Sequence, residues 1–132
     1  DLMVRDVLAI PGTRPILSHT GIHGRCATTR NLPDDLVKAI AQKGGLIGIG
    51  YWADVVCGKT PTAIAETIKA AIALVGENHV SLGSDYDGSV DVPFDAAHLA
   101  ALTQALMDQG LSEAQIAKVM GSNMMRYLAQ TL

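Results

Sequence analysis

Apolar positions along this chain follow two rhythms that alternate. Short continuous runs occupy Pro15-Ile16-Leu17, Leu46-Ile47-Gly48-Ile49 and Val80-Ser81-Leu82, and they predict strands over about 15–19, 46–51 and 79–84. Between them the apolar residues recur at helical spacing. One stripe is Leu2, Met3, Val4, Val7 and Leu8, ending before the turn Pro11-Gly12. A second is Leu36, Val37, Ile40 and Ala41, opened by Pro33 with Asp34 and Asp35 near its positive end and closed at Gly44-Gly45. A third, opened by Thr60-Pro61, carries Ile64, Ile68, Ala71, Ile72 and Val75 and stops at Gly76. Further helices are predicted over about 94–109, from Ser112-Glu113 onward, and over 122–132.

Strand, helix, strand, helix, strand, helix is the layout of a parallel α/β sheet. Three such strands are not a finished sheet, because both edges and one face would stay open. The inner face, with Ile16, Ile47, Ile49 and Leu82, is expected to lack packing partners within this sequence. A flavodoxin-like sheet needs two more strands than the pattern offers. A complete (β/α)8 barrel needs roughly 250 residues, about twice this chain. The predicted architecture is the C-terminal portion of a TIM-type (β/α)8 barrel, with residues 1–132 forming a single partial domain. The opening Asp1-Leu2-Met3-Val4-Arg5 reads as part of a helix and as neither a signal peptide nor a translation start, so preceding residues are expected.

Composition narrows the function. Hydrophobic residues make up 48% of the 132, charged residues only 17%, and the mean hydropathy is +0.25. That balance fits strands covered on both faces. A net charge of −3 argues against a nucleic-acid partner, which needs a basic stripe. No apolar stretch approaches the roughly 20 residues of a membrane span. The compartment stays open, a cytoplasmic one being favoured over a periplasmic or secreted one.

In a parallel sheet every strand ends at the same rim, where ligands bind. The three runs lead into His19, Tyr51 and Asp85. His19 has three readings: a metal ligand, a base, or a strand cap. Asp85 and Asp87 bracket Tyr86 before Gly88; the glycine favours Asp85 as the residue aimed into the site, and an Asx-turn is the competing reading. Arg30 suits a carboxylate fork on the rim or a plain surface charge. His23 lies in the rim loop, His79 at the opposite, stabilising end of a strand, and His98 in a helix. Cys26 and Cys57 both follow strands, and read either as two small buried thiols or as a disulfide between neighbouring loops.

In order, Ser18-His19-Thr20, Thr29-Arg30-Asn31-Leu32-Pro33-Asp34-Asp35, Gly45-Leu46-Ile47-Gly48-Ile49-Gly50-Tyr51 and His79 to Gly88 resemble the C-terminal part of the membrane dipeptidase (renal dipeptidase) family. The closing Gly121-Ser122-Asn123-Met124-Met125-Arg126 resembles that family's Gly-x-Asn-x-x-Arg helix. The resemblance implies a barrel metallopeptidase whose complete form holds two zinc ions. It makes His19 a ligand of one zinc, Arg30 the holder of the dipeptide's free carboxylate and Asp85 the group that moves a proton from water to the leaving amine. Tyr51, brought to the same rim by its strand, is expected to contact substrate. The resemblance also implies that Cys26 and Cys57 lie at or beside positions that pair in secreted animal members.

The family's other metal ligands, a His-x-Asp pair, a bridging Glu and a further His, all precede the matched segment. Of that set this sequence holds only His19, and one ligand does not bind zinc tightly. The chain alone is therefore expected to be inactive and without tightly bound zinc. Its expected partners are the dipeptide and either the N-terminal half or a second copy of itself. The competing readings are a non-catalytic α/β interaction module and another metal-dependent amidohydrolase-type barrel.

Overall fold

The computed structural model describes residues 2–132. Three parallel strands, β1 (Ile16–Thr20), β2 (Leu46–Ile49) and β3 (Val80–Leu82), lie side by side in chain order. Helix α1 (Leu2–Ala9) precedes β1, and α2 (Asp34–Gln42) joins β1 to β2. A single turn, α3 (Ala53–Val56), and the long α4 (Pro61–Val75) join β2 to β3. After β3 come a 3-10 turn (Ala96–His98), α5 (Ala100–Asp108), α6 (Glu113–Ala117), a π-type turn (Lys118–Ser122) and α7 (Asn123–Thr131). The helix expected over 1–9 is found from Leu2; Asp1 lies outside the described residues.

Local chemistry accounts for the helix starts. Thr60 caps α4 by accepting a hydrogen bond from the Ala63 N–H, and Pro61 fills the first turn, where no donor is needed. Ser112 and Gln115 form a reciprocal capping box at α6. The segment expected as one helix over 94–109 is divided, because Asp95 accepts from the N–H groups of Ala97 and His98 and closes a separate short turn.

Strand alternation puts Ile47, Ile49 and Val80, all fully buried, on the face covered by helices, with Leu17 and Leu82 partly buried beside them. They share one core with Val37 and Ile40 of α2, Ile64 and Ile68 of α4, and Leu102 and Leu106 of α5. This corrects the expected inner face. Ile47, Ile49 and Leu82 pack beneath the helices, and of the four only Ile16, 39% exposed, stands open. The reason is the two-residue period of a strand. The other face of β2 carries Leu46 and Gly48 and that of β3 carries Ser81, so it offers little apolar surface.

The final helix is tied to the strands' entry end. Asn123, fully buried, donates to the carbonyls of Glu77 (2.7 Å) and Val80 (2.8 Å), and Arg126 donates to Asn78 (2.5 Å). Tyr127 donates to the Arg14 carbonyl, and Lys118 pairs with Glu77. These bonds explain the Asn and Arg of the closing sequence: they satisfy backbone acceptors at the end of the sheet away from His19. No helix is long and apolar enough to cross a membrane among the described residues.

Candidate active site

His19 is presented by an irregularity in β1. Leu17 pairs with Ile47 and Thr20 with Ile49, so Ser18 and His19 together stand opposite the single residue Gly48. Such a bulge bends the strand and re-aims a side chain. Glycine is required beside it, since a Cβ at Gly48 or Gly83 would overlap the Ser18 carbonyl. The Ser18 hydroxyl lies 2.7 Å from His19 Nδ1, which fixes the ring and leaves Nε2 without a protein hydrogen bond among the described residues. A ring held at one nitrogen by an outer partner is how metal-ligating imidazoles are oriented.

Against the half-buried His19 lies Trp52, the residue after Tyr51 and the chain's one tryptophan. The two ring centroids are 5.8 Å apart, and Trp52 is 6% exposed. Arg30, itself exposed, sets its guanidinium 5.4 Å from the indole centroid, within cation–π range. A side chain at Gly50 would overlap the indole, so that glycine makes room for the ring.

The loop that carries Arg30 is pinned to the segment that carries Trp52 by three kinds of bond. Asn31, 4% exposed, accepts from the Gly21 N–H (2.7 Å) and donates to the carbonyls of Cys26 (2.9 Å) and Val55 (3.0 Å). Thr28 donates to the Asp54 carbonyl at 2.7 Å. Cys26 and Cys57 form a disulfide, with Cα atoms 5.6 Å apart. Of the two readings open for these cysteines, the structure therefore takes the cross-link.

At the end of β2 the chain places Tyr51 below the rim. It is 1% exposed, edge-on to Tyr86 (5.7 Å) and tilted against Phe94 (5.2 Å). Burial, then the neighbouring Tyr86, pushes its phenol above the ordinary value. Tyr51, expected from sequence as a substrate contact, is thus buried with its ring against those of Tyr86 and Phe94. Asp85 follows β3 in a left-handed conformation (φ 59°), and its backbone carbonyl accepts from the Gly88 N–H at 3.0 Å. The Asp85 carboxylate folds back over Gly88, where a Cβ would overlap it, so that glycine makes room for the side chain. Beside these residues a cleft of about 340 Å³ opens between the loops after β2 and β3, walled by Trp52, Asp54, Lys59, Ser89 and Asp91.

Among the described residues no three His, Cys, Asp or Glu side chains converge as a metal site. His79 bonds the Gly45 carbonyl at 3.0 Å and serves the strands' entry end. His98 bonds Asp95 at 2.7 Å in the exposed 3-10 turn, and His23 buries Nδ1 without a protein partner. Trp52, Asn31 and α3 were not singled out from the sequence. A lone tryptophan next to a rim residue was the available signal for the first. For Asn31 the signal was its place in the Thr29-Arg30-Asn31 motif; its bonds to Gly21 and Val55, 10 and 24 residues away, are not legible there.

The family model for membrane dipeptidase (peptidase family M19) matches residues 2–131. Dipeptidase ataJ of Aspergillus terreus is 29% identical over 96% of this chain and 33% of its own length. Dipeptidase aclJ of Aspergillus oryzae is 30% identical over 94% of this chain and 31% of its own. The chain thus spans about a third of these curated relatives. Among solved structures, a metallopeptidase from Rhodobacter sphaeroides, liganded with a phosphinate mimic of the dipeptide L-Ala-D-Ala, superposes with a TM-score of 0.89. It is 24% identical, over 98% of this chain and 39% of that one, and the likeness shows the shared fold.

Proposed function

The chain belongs to the membrane dipeptidase family, and we propose that the protein it is part of hydrolyses dipeptides with two zinc ions, this chain supplying His19, Arg30 and Asp85. The observation that carries the reading is the contact series Arg30–Trp52–His19 on the rim where β3 delivers Asp85. When bound, zinc acidifies a water and polarises the scissile carbonyl. His19 offers Nε2 as one ligand, oriented by Ser18. Arg30 receives the free carboxylate with its guanidinium fork. Asp85 takes a proton from the attacking water and delivers it to the leaving amine.

Arg30→Ala in the complete protein is expected to raise KM for a dipeptide free acid by about 10–100-fold and to leave the C-terminal amide nearly unchanged. Steady-state kinetics on the two substrates decide it. An equal change on both would remove Arg30 from carboxylate binding.

The rest of the barrel is the proposed partner. Met3, Val7 and Ile16 are exposed and border an apolar groove of about 170 Å³ between α1 and β1, continuous with Leu17 and Ile40. Purified alone, these 132 residues are expected to self-associate in sedimentation and to retain no zinc after dialysis, while the complete protein retains two ions. A monodisperse monomer, or stoichiometric zinc on the chain alone, would contradict this.

The disulfide bears on compartment. It belongs in oxidising surroundings, which favours a periplasmic or extracellular site over the cytoplasmic one expected from sequence.

A further inference from the structure

We propose that Trp52 is a positioning residue for carboxylate recognition, acting through Arg30. The inference rests on the dipeptidase reading of Arg30 given above. Arg30 is exposed, and a free arginine on a surface loop samples many rotamers. Here its guanidinium lies on the indole, 5.4 Å from the centroid. The indole is itself immobile: it is 6% exposed, it fills the space left by the missing side chain of Gly50, and it packs on His19 at 5.8 Å.

One buried ring therefore touches both the cation that would take the carboxylate and the imidazole that would sit beside the scissile bond. The separation between those two groups is set by a rigid aromatic plate and not by the flexible arginine stem. The loop ties add to this. Asn31 and the disulfide hold the Arg30 loop against the segment that begins at Trp52, so the plate and its cation move as one body. A guanidinium already placed loses less freedom when a carboxylate arrives. The gain is specific to ligands with a free C-terminal carboxylate.

The test uses the complete protein and two probes, a phosphinate dipeptide mimic as the free acid and the same compound as its C-terminal amide. Titration calorimetry on Trp52→Phe and Trp52→Leu is expected to show free-acid affinity falling in the order Trp, Phe, Leu. The loss is about twofold for Phe and roughly three- to tenfold for Leu, with amide affinity unchanged in both variants. The kinetics of a dipeptide free acid should follow, KM rising while kcat holds. Equal losses on acid and amide would make Trp52 a packing residue only and overturn the proposal, as would no loss on either. Should the leucine variant fail to fold, the Phe variant decides by the same comparison. Arg30→Ala run alongside separates the two readings. If it fails to discriminate acid from amide, the assignment of Arg30 falls. If it discriminates and the Trp52 variants do not, only the role of Trp52 falls.

Discussion

Asp85→Asn in the complete protein is expected to lower kcat by about 10²–10⁴-fold, the contribution of a positioned proton-transfer group, with KM within a few-fold of wild type. The substitution isolates chemistry from fold. Asp85 sits at φ 59°, a conformation open to few residue types besides glycine, and asparagine is among them. The turn to Gly88 is closed by the Asp85 backbone carbonyl, which the amide leaves in place. Asparagine keeps the shape and cannot take up a proton. Stopped-assay turnover with a thermal midpoint measured on the same sample checks both halves. Retained turnover at an unchanged midpoint would reduce Asp85 to a turn residue.

Removing the Cys26–Cys57 cross-link is expected to cost about 3–4 kcal/mol of stability, the chain-entropy value for a link across 31 residues. Denaturant unfolding of the Cys26→Ser, Cys57→Ser double variant measures this, and wild type in reductant should behave alike. Local geometry should outlast the loss, because Asn31 still bonds Gly21, Cys26 and Val55 and Thr28 still bonds Asp54. KM for a dipeptide free acid is therefore expected to change by less than threefold under conditions where the protein stays folded. Two titratable thiols in the untreated protein, with no shift of midpoint on reduction, would remove the cross-link from the native state.

The sequence by itself determined the order of elements, the parallel α/β class and the family. Each rests on local chemistry repeated along the chain: continuous apolar runs of strand length, helical stripes, and caps such as Thr60-Pro61 and Ser112. It also brought His19, Arg30, Tyr51 and Asp85 forward as one set, because parallel strands deliver their ends to a common rim. What it left open were matters of register and facing. Periodicity says that Ile47 and Ile49 share a face but not which face the helices cover, and the tertiary structure puts them in the helical core. A one-residue irregularity at Ser18-His19 is invisible in an apolar run, yet it aims the histidine. Tyr51 reads as a rim residue by position; only packing by Tyr86 and Phe94 shows it buried. Trp52 meets Arg30 and His19, and Asn31 meets Val55, across more than 20 residues of chain, and such contacts exist only after the loops have been brought together.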